Sequence, residues 1–242
     1  MKRLIVAGIL VFAVVLAATF PARIAYQWLA PPELQLSGIT GSIWNGRAAE
    51  GLAADVYLTD LQWRIKPTSI FSGNITYQVE AKPVGGSLLT KVSVETDGSI
   101  ILTDLSGGVP LDLVLPQFQA QGISGDLSLA FDRLVLRNGI PVEANGSVTV
   151  VNLFAPNLSA GVLGDFQLVF TTSPEGITAA LDDLAGVLDV TGKVDLFSDR
   201  TYRVEGLVKS LPGAPPSVEA QLRGLGSPDE NGMRRFGTEG VL

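Results

Sequence analysis

The sequence predicts an all-β protein behind one N-terminal helix, and three observations predict it. Beyond Pro32, apolar and polar residues alternate with a period of two in short runs. Clusters of Gly, Asn and Asp separate those runs. No long helical periodicity appears after the N-terminal segment. A period of two gives a strand one buried and one wet face. Serial strands joined by tight turns make an antiparallel meander, here expected as a curved antiparallel β-sheet domain.

The N-terminal segment comes first. Lys2 and Arg3 precede an uninterrupted apolar run from Leu4 to Phe20. As a helix this run covers roughly 25 Å, the short end for a bilayer core of about 30 Å. Pro21 and Ala22 add a little apolar length, Ala22 to Ala30 read as a continuation of the helix, and Tyr26 and Trp28 suit the far interface. A cleaved signal peptide is the rival reading, with Ala17-Ala18-Thr19 as the cleavage site. Phe20-Pro21 follows directly, and proline just after a scissile bond is a poor substrate. The expectation is therefore an uncleaved anchor. Lys2 and Arg3 hold the N-terminus in the cytoplasm and the remainder is directed out of it. The expected organisation is a cytoplasmic tip and transmembrane anchor over 1–30 and a periplasmic β domain over 31–242.

Strands are expected where the alternation is clearest. Ile75, Tyr77 and Val79 form one such run; Leu111, Leu113 and Leu115, closed by Pro116, form another. Leu127, Leu129 and Phe131, then Phe166, Leu168 and Phe170, repeat the pattern, as do Val218, Ala220 and Leu222. Turns are expected at Asp97-Gly98, Arg137-Asn138-Gly139, Asn145-Gly146, Pro174-Glu175-Gly176 and Glu230-Asn231-Gly232, where Gly and Asn supply positive φ. Short helical turns are expected at Thr68 to Ser72 and Val151 to Asn157. A Gly-polar-apolar-polar-apolar pattern recurs at Gly125, Gly164 and Gly192. It reads either as ordinary hairpin chemistry or as a repeating β-unit.

Composition excludes several function classes. The chain of 242 residues has no Cys and no His. Disulfides, thiolate nucleophiles, Ser-His-Asp triads and His-ligated metals or haem are excluded with them. The net charge of -7 opposes binding to phosphate backbones, so no nucleic-acid partner is expected. Hydrophobic residues make up 46% of the chain, more than the N-terminal run alone explains, so the β domain has a large core or an apolar groove. The carboxylates Asp126 and Asp165 fall at strand starts after Gly, Asp182-Asp183 at a solvated turn or strand edge, and Asp229 in a turn. No spacing pairs two of them as glycoside hydrolysis requires. Pro228-Asp229-Glu230-Asn231-Gly232 lacks the alternating carboxylates and distal Glu of a calcium loop and reads as a turn. No enzyme, cofactor or metal is expected.

Two stretches carry more than fold class. The first is Leu36-Ser37-Gly38-Ile39-Thr40-Gly41-Ser42-Ile43-Trp44-Asn45-Gly46-Arg47-Ala48, followed by Leu61-Gln62-Trp63-Arg64-Ile65-Lys66-Pro67. The second is Leu225-Gly226-Ser227-Pro228-Asp229-Glu230-Asn231-Gly232, followed by Arg235-Phe236-Gly237-Thr238-Glu239-Gly240. Gly38, Gly41 and Gly46 permit turns or close backbone approach, and Trp44 and Trp63 are large apolar anchors suited to capping the membrane-proximal end of a sheet. The motif residues singled out are Gly38, Gly41, Trp44, Gly46, Trp63, Pro67, Gly226, Gly232 and Gly240. With the N-terminal anchor before them, these stretches resemble the type II secretion system protein N family. The opening motif is also similar to AsmA-like anchored periplasmic β-proteins. The first resemblance implies an inner-membrane component that helps export folded proteins across the outer membrane, with other type II secretion components as partners. The second implies a lipid partner, held in an apolar β groove.

Overall fold

The computed structural model describes residues 2–29, 34–53, 56–65, 75–95, 97–113 and 122–241. The chain divides into two compact units, 1–93 and 94–242.

The first unit begins with α1 (Lys2–Ala18) and α2 (Ala22–Leu29). The helix expected from Ala22 onward is present over Ala22–Leu29, but as a separate helix and not as a continuation of α1. Pro21 lacks the N–H that would continue the ladder, and its ring disfavours helical backbone at Phe20. Thr19 closes α1, its hydroxyl donating to Val15 O at 2.8 Å. The apolar helix is thereby held to 17 residues. Among the described residues, no helix is long and apolar enough to cross a membrane.

The strands of this unit are β1 (Leu34–Ser37), β2 (Thr40–Gly41), β3 (Asn45–Ala53), β4 (Val56–Ile65), β5 (Thr76–Pro83) and β6 (Ser87–Val94). Their sheet order is β1-β3-β4-β5-β6, antiparallel throughout, with β2 also paired to β3. Ala48, Leu58, Leu61 and Ala81 form the core, flanked by Leu36, Ile39, Trp63 and Val79. Leu58 and Leu61 both point inward although three residues apart. A bulge explains this: the register slips between Thr59 and Gln62, and Asp60 takes a φ of 51°. The expected turn at 68–72 and Pro67 lie outside the described residues.

The second unit is a meander in which chain order is sheet order. It comprises β7 (Ile100–Pro110), β8 (Ser124–Arg137), β9 (Ile140–Phe154), β10 (Val162–Ser173), β11 (Gly176–Gly186), β12 (Leu188–Phe197), β13 (Thr201–Ser210) and β14 (Arg234–Val241). Each pairs antiparallel with the next. Asn138-Gly139 makes the β8–β9 turn with φ of 52° and 77°, as its residue types predict. The recurring glycines 125, 164 and 192 fall on β8, β10 and β12, alternate strands of the sheet.

Two clusters of the strands' own side chains pack on the apolar face of this unit. Phe131, Ala144 and Ile177 centre one, with the Phe131 and Phe170 rings 5.4 Å apart. The other gathers Leu163, Phe166, Leu188, Val190 and Val208 beneath α3 (Pro216–Arg223), which contributes Val218 and Leu222. Here the expected strand is a helix. Val218 and Leu222 are four apart as well as even-numbered, so the same two residues satisfy both periods. Pro216 at the helix start is preorganised for the first turn.

Three further expectations need correction. Leu111–Leu113 form a 3-10 turn rather than a strand, and Leu115 and Pro116 lie outside the described residues. Asn145-Gly146 lies inside β9, not in a turn; Asn145 Oδ1 accepts from Thr172 N at 3.1 Å, which holds it in the sheet. The chain from 151 to 154 is the end of β9, and only Pro156 to Leu158 turn.

Candidate functional site

The opening motif forms a compact corner at the start of the first unit's sheet. Gly38 leaves β1 with a φ of 64°, and Gly41 turns out of β2 with a φ of 86°. The short loop that follows is pinned on both sides. Ser42 N donates to Asn45 O at 2.9 Å, and Asn45 N donates to Ser42 Oγ at 3.3 Å. Ile65 N donates to Trp44 O at 2.7 Å, fixing the Trp44 backbone to the end of β4. The helix junction is tied to the same loop: Ile43 N donates to Phe20 O at 3.0 Å, and Pro21 bridges Ser42.

The two tryptophans take different places in this corner. Gly46 and Trp63 are register partners across β3 and β4, and the indole lies directly over the glycine. A Cβ on residue 46 would fall inside that ring. The indole Nε1 donates to Ser42 O at 3.3 Å, so the ring also clamps the loop. Trp44 is half-buried. Gly38, Gly41, Trp44, Gly46 and Trp63 are thus brought together as one structural corner.

The second motif lies in the other unit and builds a turn and an edge strand. Gly226 and Gly232 have φ of 106° and 78°, with open space where a Cβ would be, so backbone conformation is what requires glycine there. Asp229 Oδ1 accepts from Asn231 N at 2.9 Å and Met233 N at 2.8 Å, and the Arg234 guanidinium donates to Gly226 O. Those bonds use the Asp229 carboxylate to close a turn, as expected. Gly240 on β14 pairs with Tyr202 on β13, whose ring covers it. Phe236 over Gly206 repeats the aromatic-on-glycine device on the same strand pair, and Phe131 over Gly146 repeats it across β8 and β9.

Two of the remaining carboxylates, Asp165 and Asp183, latch the sheet. Asp165 Oδ1 accepts from Asn152 N at 2.8 Å, where β9 bulges and Asn152 has a φ of 56°. Asp183, expected at a solvated turn or edge, lies within β11 and accepts from Val190 N at 2.7 Å, replacing a ladder bond. Asp126 and Asp182 are exposed strand residues.

Sequence reading missed the charged cluster at Asp60. Its carboxylate holds Arg47 at 2.8 Å and Lys82 at 3.0 Å from the neighbouring strands. Hydrogen bonds from Lys82 and Gln62 hold the Asp60 carboxyl below its usual range, outweighing a desolvation that pushes it up. The available signal was the broken alternation Leu58-Thr59-Asp60-Leu61. Asp195 was missed as well. Burial pushes its carboxyl up, but bonds from Lys193 Nζ at 2.8 Å and Thr178 Oγ1 at 2.8 Å outweigh that and hold it low.

Comparison with known proteins bears on the whole chain. The family described as type II secretion system (T2SS), protein N matches residues 32–237. The chain is similar to the type II secretion system protein N of Aeromonas hydrophila, with 26% identity over 227 residues, covering 90% of this chain and 89% of that protein. It is also similar to the type II secretion system protein N of Vibrio cholerae, with 25% identity over 259 residues and both chains covered in full. No solved structure gives a significant match.

Proposed function

We propose, from the premise that this chain belongs to the type II secretion system protein N family, that it is a non-catalytic inner-membrane component of that secretion machine. It works with other type II secretion components in exporting folded proteins across the outer membrane. In this reading residues 1–30 are the cytoplasmic tip and anchor, and residues 31–242 are the periplasmic β domain. The observation that carries it is the family match from residue 32 to 237, which takes in the first motif stretch, the second as far as Gly237, and nearly all of the β structure. Two features support the finer parts. Large apolar side chains of α1, among them Leu4, Ile9 and Phe12, are exposed, which suits a lipid surround. The carboxylates Asp165, Asp183 and Asp229 are spent on backbone N–H groups, a structural use.

Deletion of the gene in a bacterium that secretes by this route tests the role. Secreted enzymes should then accumulate in the periplasm, and the full chain should restore their release. Unchanged secretion in the deletion strain would end the proposal. Alkaline phosphatase fused after Leu242 should be active in cells; an inactive fusion with an active cytoplasmic reporter at the same place would reject the periplasmic placement.

A further inference from the structure

α2 has three distinct faces. Ala22, 4% exposed, and the half-buried Ala25 and Tyr26 face the sheet. The Tyr26 hydroxyl donates to Leu34 O at 3.0 Å and accepts from Leu36 N at 2.9 Å, locking the helix to β1. Arg23 and Gln27 form the second face and border an open hollow of about 390 Å³ together with Ser37, Gly38 and Ile39. Ile24 and Trp28, one turn apart, form the third. They are 38% and 73% exposed, unusual for side chains of this size on a helix with a packed face. The Trp28 ring lies 6.1 Å from Phe20, where the apolar α1 has just ended.

This third face continues the apolar surface of α1 around the break at Pro21. α1 is 17 residues long and extends roughly 25 Å, short of a hydrocarbon core of about 30 Å. A short span draws its flanking residues into the interface. An indole, apolar with one N–H, is suited to that zone. A guanidinium beside it attracts anionic headgroups.

We infer that α2 lies along the membrane surface, with Ile24 and Trp28 at the boundary of headgroups and acyl chains and Arg23 drawing an anionic phospholipid headgroup into the hollow beside it. The occupant is the lipid surface itself, because the exposed face is continuous with α1. The inference rests on the reading of α1 as a membrane anchor. It gives the first unit a fixed seat on the bilayer, since the bond from Ile43 N to Phe20 O and the Tyr26 bridge join α2 to the sheet.

The chain has no Cys, so single spin labels can be placed without further substitution. The full chain is reconstituted in nanodiscs carrying Phe12→Cys, Ile24→Cys, Gln27→Cys or Ser87→Cys, one at a time. Labels at 12 and 24 should collide with oxygen more than with a water-soluble nickel chelate, and the label at 87 should do the reverse. Adding phosphatidylglycerol to phosphatidylcholine discs should lower nickel access at 27. Arg23→Gln should abolish that drop while leaving position 24 in lipid. A label at 24 as nickel-accessible as one at 87, with 12 still in lipid, overturns the inference and leaves the anchor standing. A water-exposed label at 12 overturns the anchor reading itself. A phosphatidylglycerol effect that survives Arg23→Gln removes the headgroup from the hollow.

Discussion

Gly46→Ala probes the corner where the indole of Trp63 rests on the sheet. The residue 46 backbone is not in the left-handed region, so alanine meets no conformational penalty there. The cost is steric, because the new methyl falls inside the Trp63 ring, which is also hydrogen-bonded to Ser42 O. Overpacking of this kind costs about 1–3 kcal/mol, and about 2 kcal/mol lowers the Tm of a chain this size by roughly 4–8 °C. Trp63→Ala alone should cost about 2 kcal/mol, less than the ~3–5 kcal/mol of a fully buried indole, because Trp63 is half-buried. With the ring gone, the new methyl still lies 2.9 Å from Ser42 O, so Gly46→Ala should keep a cost of about 1 kcal/mol. The coupling between the two changes is therefore about 1 kcal/mol. Urea unfolding in detergent, followed by the far-ultraviolet circular dichroism of the sheet, measures all four corners of the cycle. Costs for Gly46→Ala that agree within about 0.5 kcal/mol in the two backgrounds would refute the stacking argument.

Trp44→Ala should lower the Tm and the cellular protein level before it changes any partner contact; a variant of unchanged stability that fails to support secretion would make Trp44 a contact residue. Asp126→Asn, Asp165→Asn, Asp182→Asn and Asp229→Asn should each leave secretion near wild type, as scored by enzyme released to the medium, because an amide oxygen still accepts the backbone bonds at 165 and 229. Stability should fall in acid through Asp60 and Asp195. Both carboxyls are held below their ordinary value of 3.8, so their contribution is complete above that value and is lost as pH falls through the depressed folded-state pKa. Thr178→Val, which removes one of the donors to Asp195, should narrow the difference in Tm between pH 7 and acid. Leu168→Asp should lower the Tm sharply, because the half-buried Leu168 lies between Phe166 and Phe170 on the apolar face of β10; a stable variant would mean that this face is open.

The meander was legible because alternation and turn chemistry agree over most of it. Asn138-Gly139 and Asp229 to Gly232 turn as their residue types require. Where the sequence misled, one signal satisfied two structures. Val218 and Leu222 fit a strand period and a helix period equally, and only Pro215-Pro216 ahead of them tips the balance to a helix. Asn145-Gly146 carries strong turn chemistry, yet the side chain of Asn145 bonds across to β10 and an aromatic ring from β8 covers Gly146. Both contacts are tertiary and leave no local trace. The corner was visible as a set of residues, Gly38 to Trp63, but not as geometry. That Trp63 lies over Gly46 follows from the β3–β4 register, a pairing between strands that no local pattern reveals.

In the second unit every strand finds its partner in the strand just made. A chain that emerges N-terminus first can therefore pair β8 as soon as it follows β7, and so on to β13, without any strand waiting for distant residues. Contacts of this kind have low contact order, and loop closure between them costs little. The exception is β14, which reaches β13 only after the 23 residues from Leu211 to Met233, including α3, have been placed. Until then β13 presents an unpaired edge, and the cluster under Val218 lacks its roof. Folding of this unit is thus incremental through β13 and ends in one long-range closure, so the segment most exposed to misassembly during synthesis is the last one.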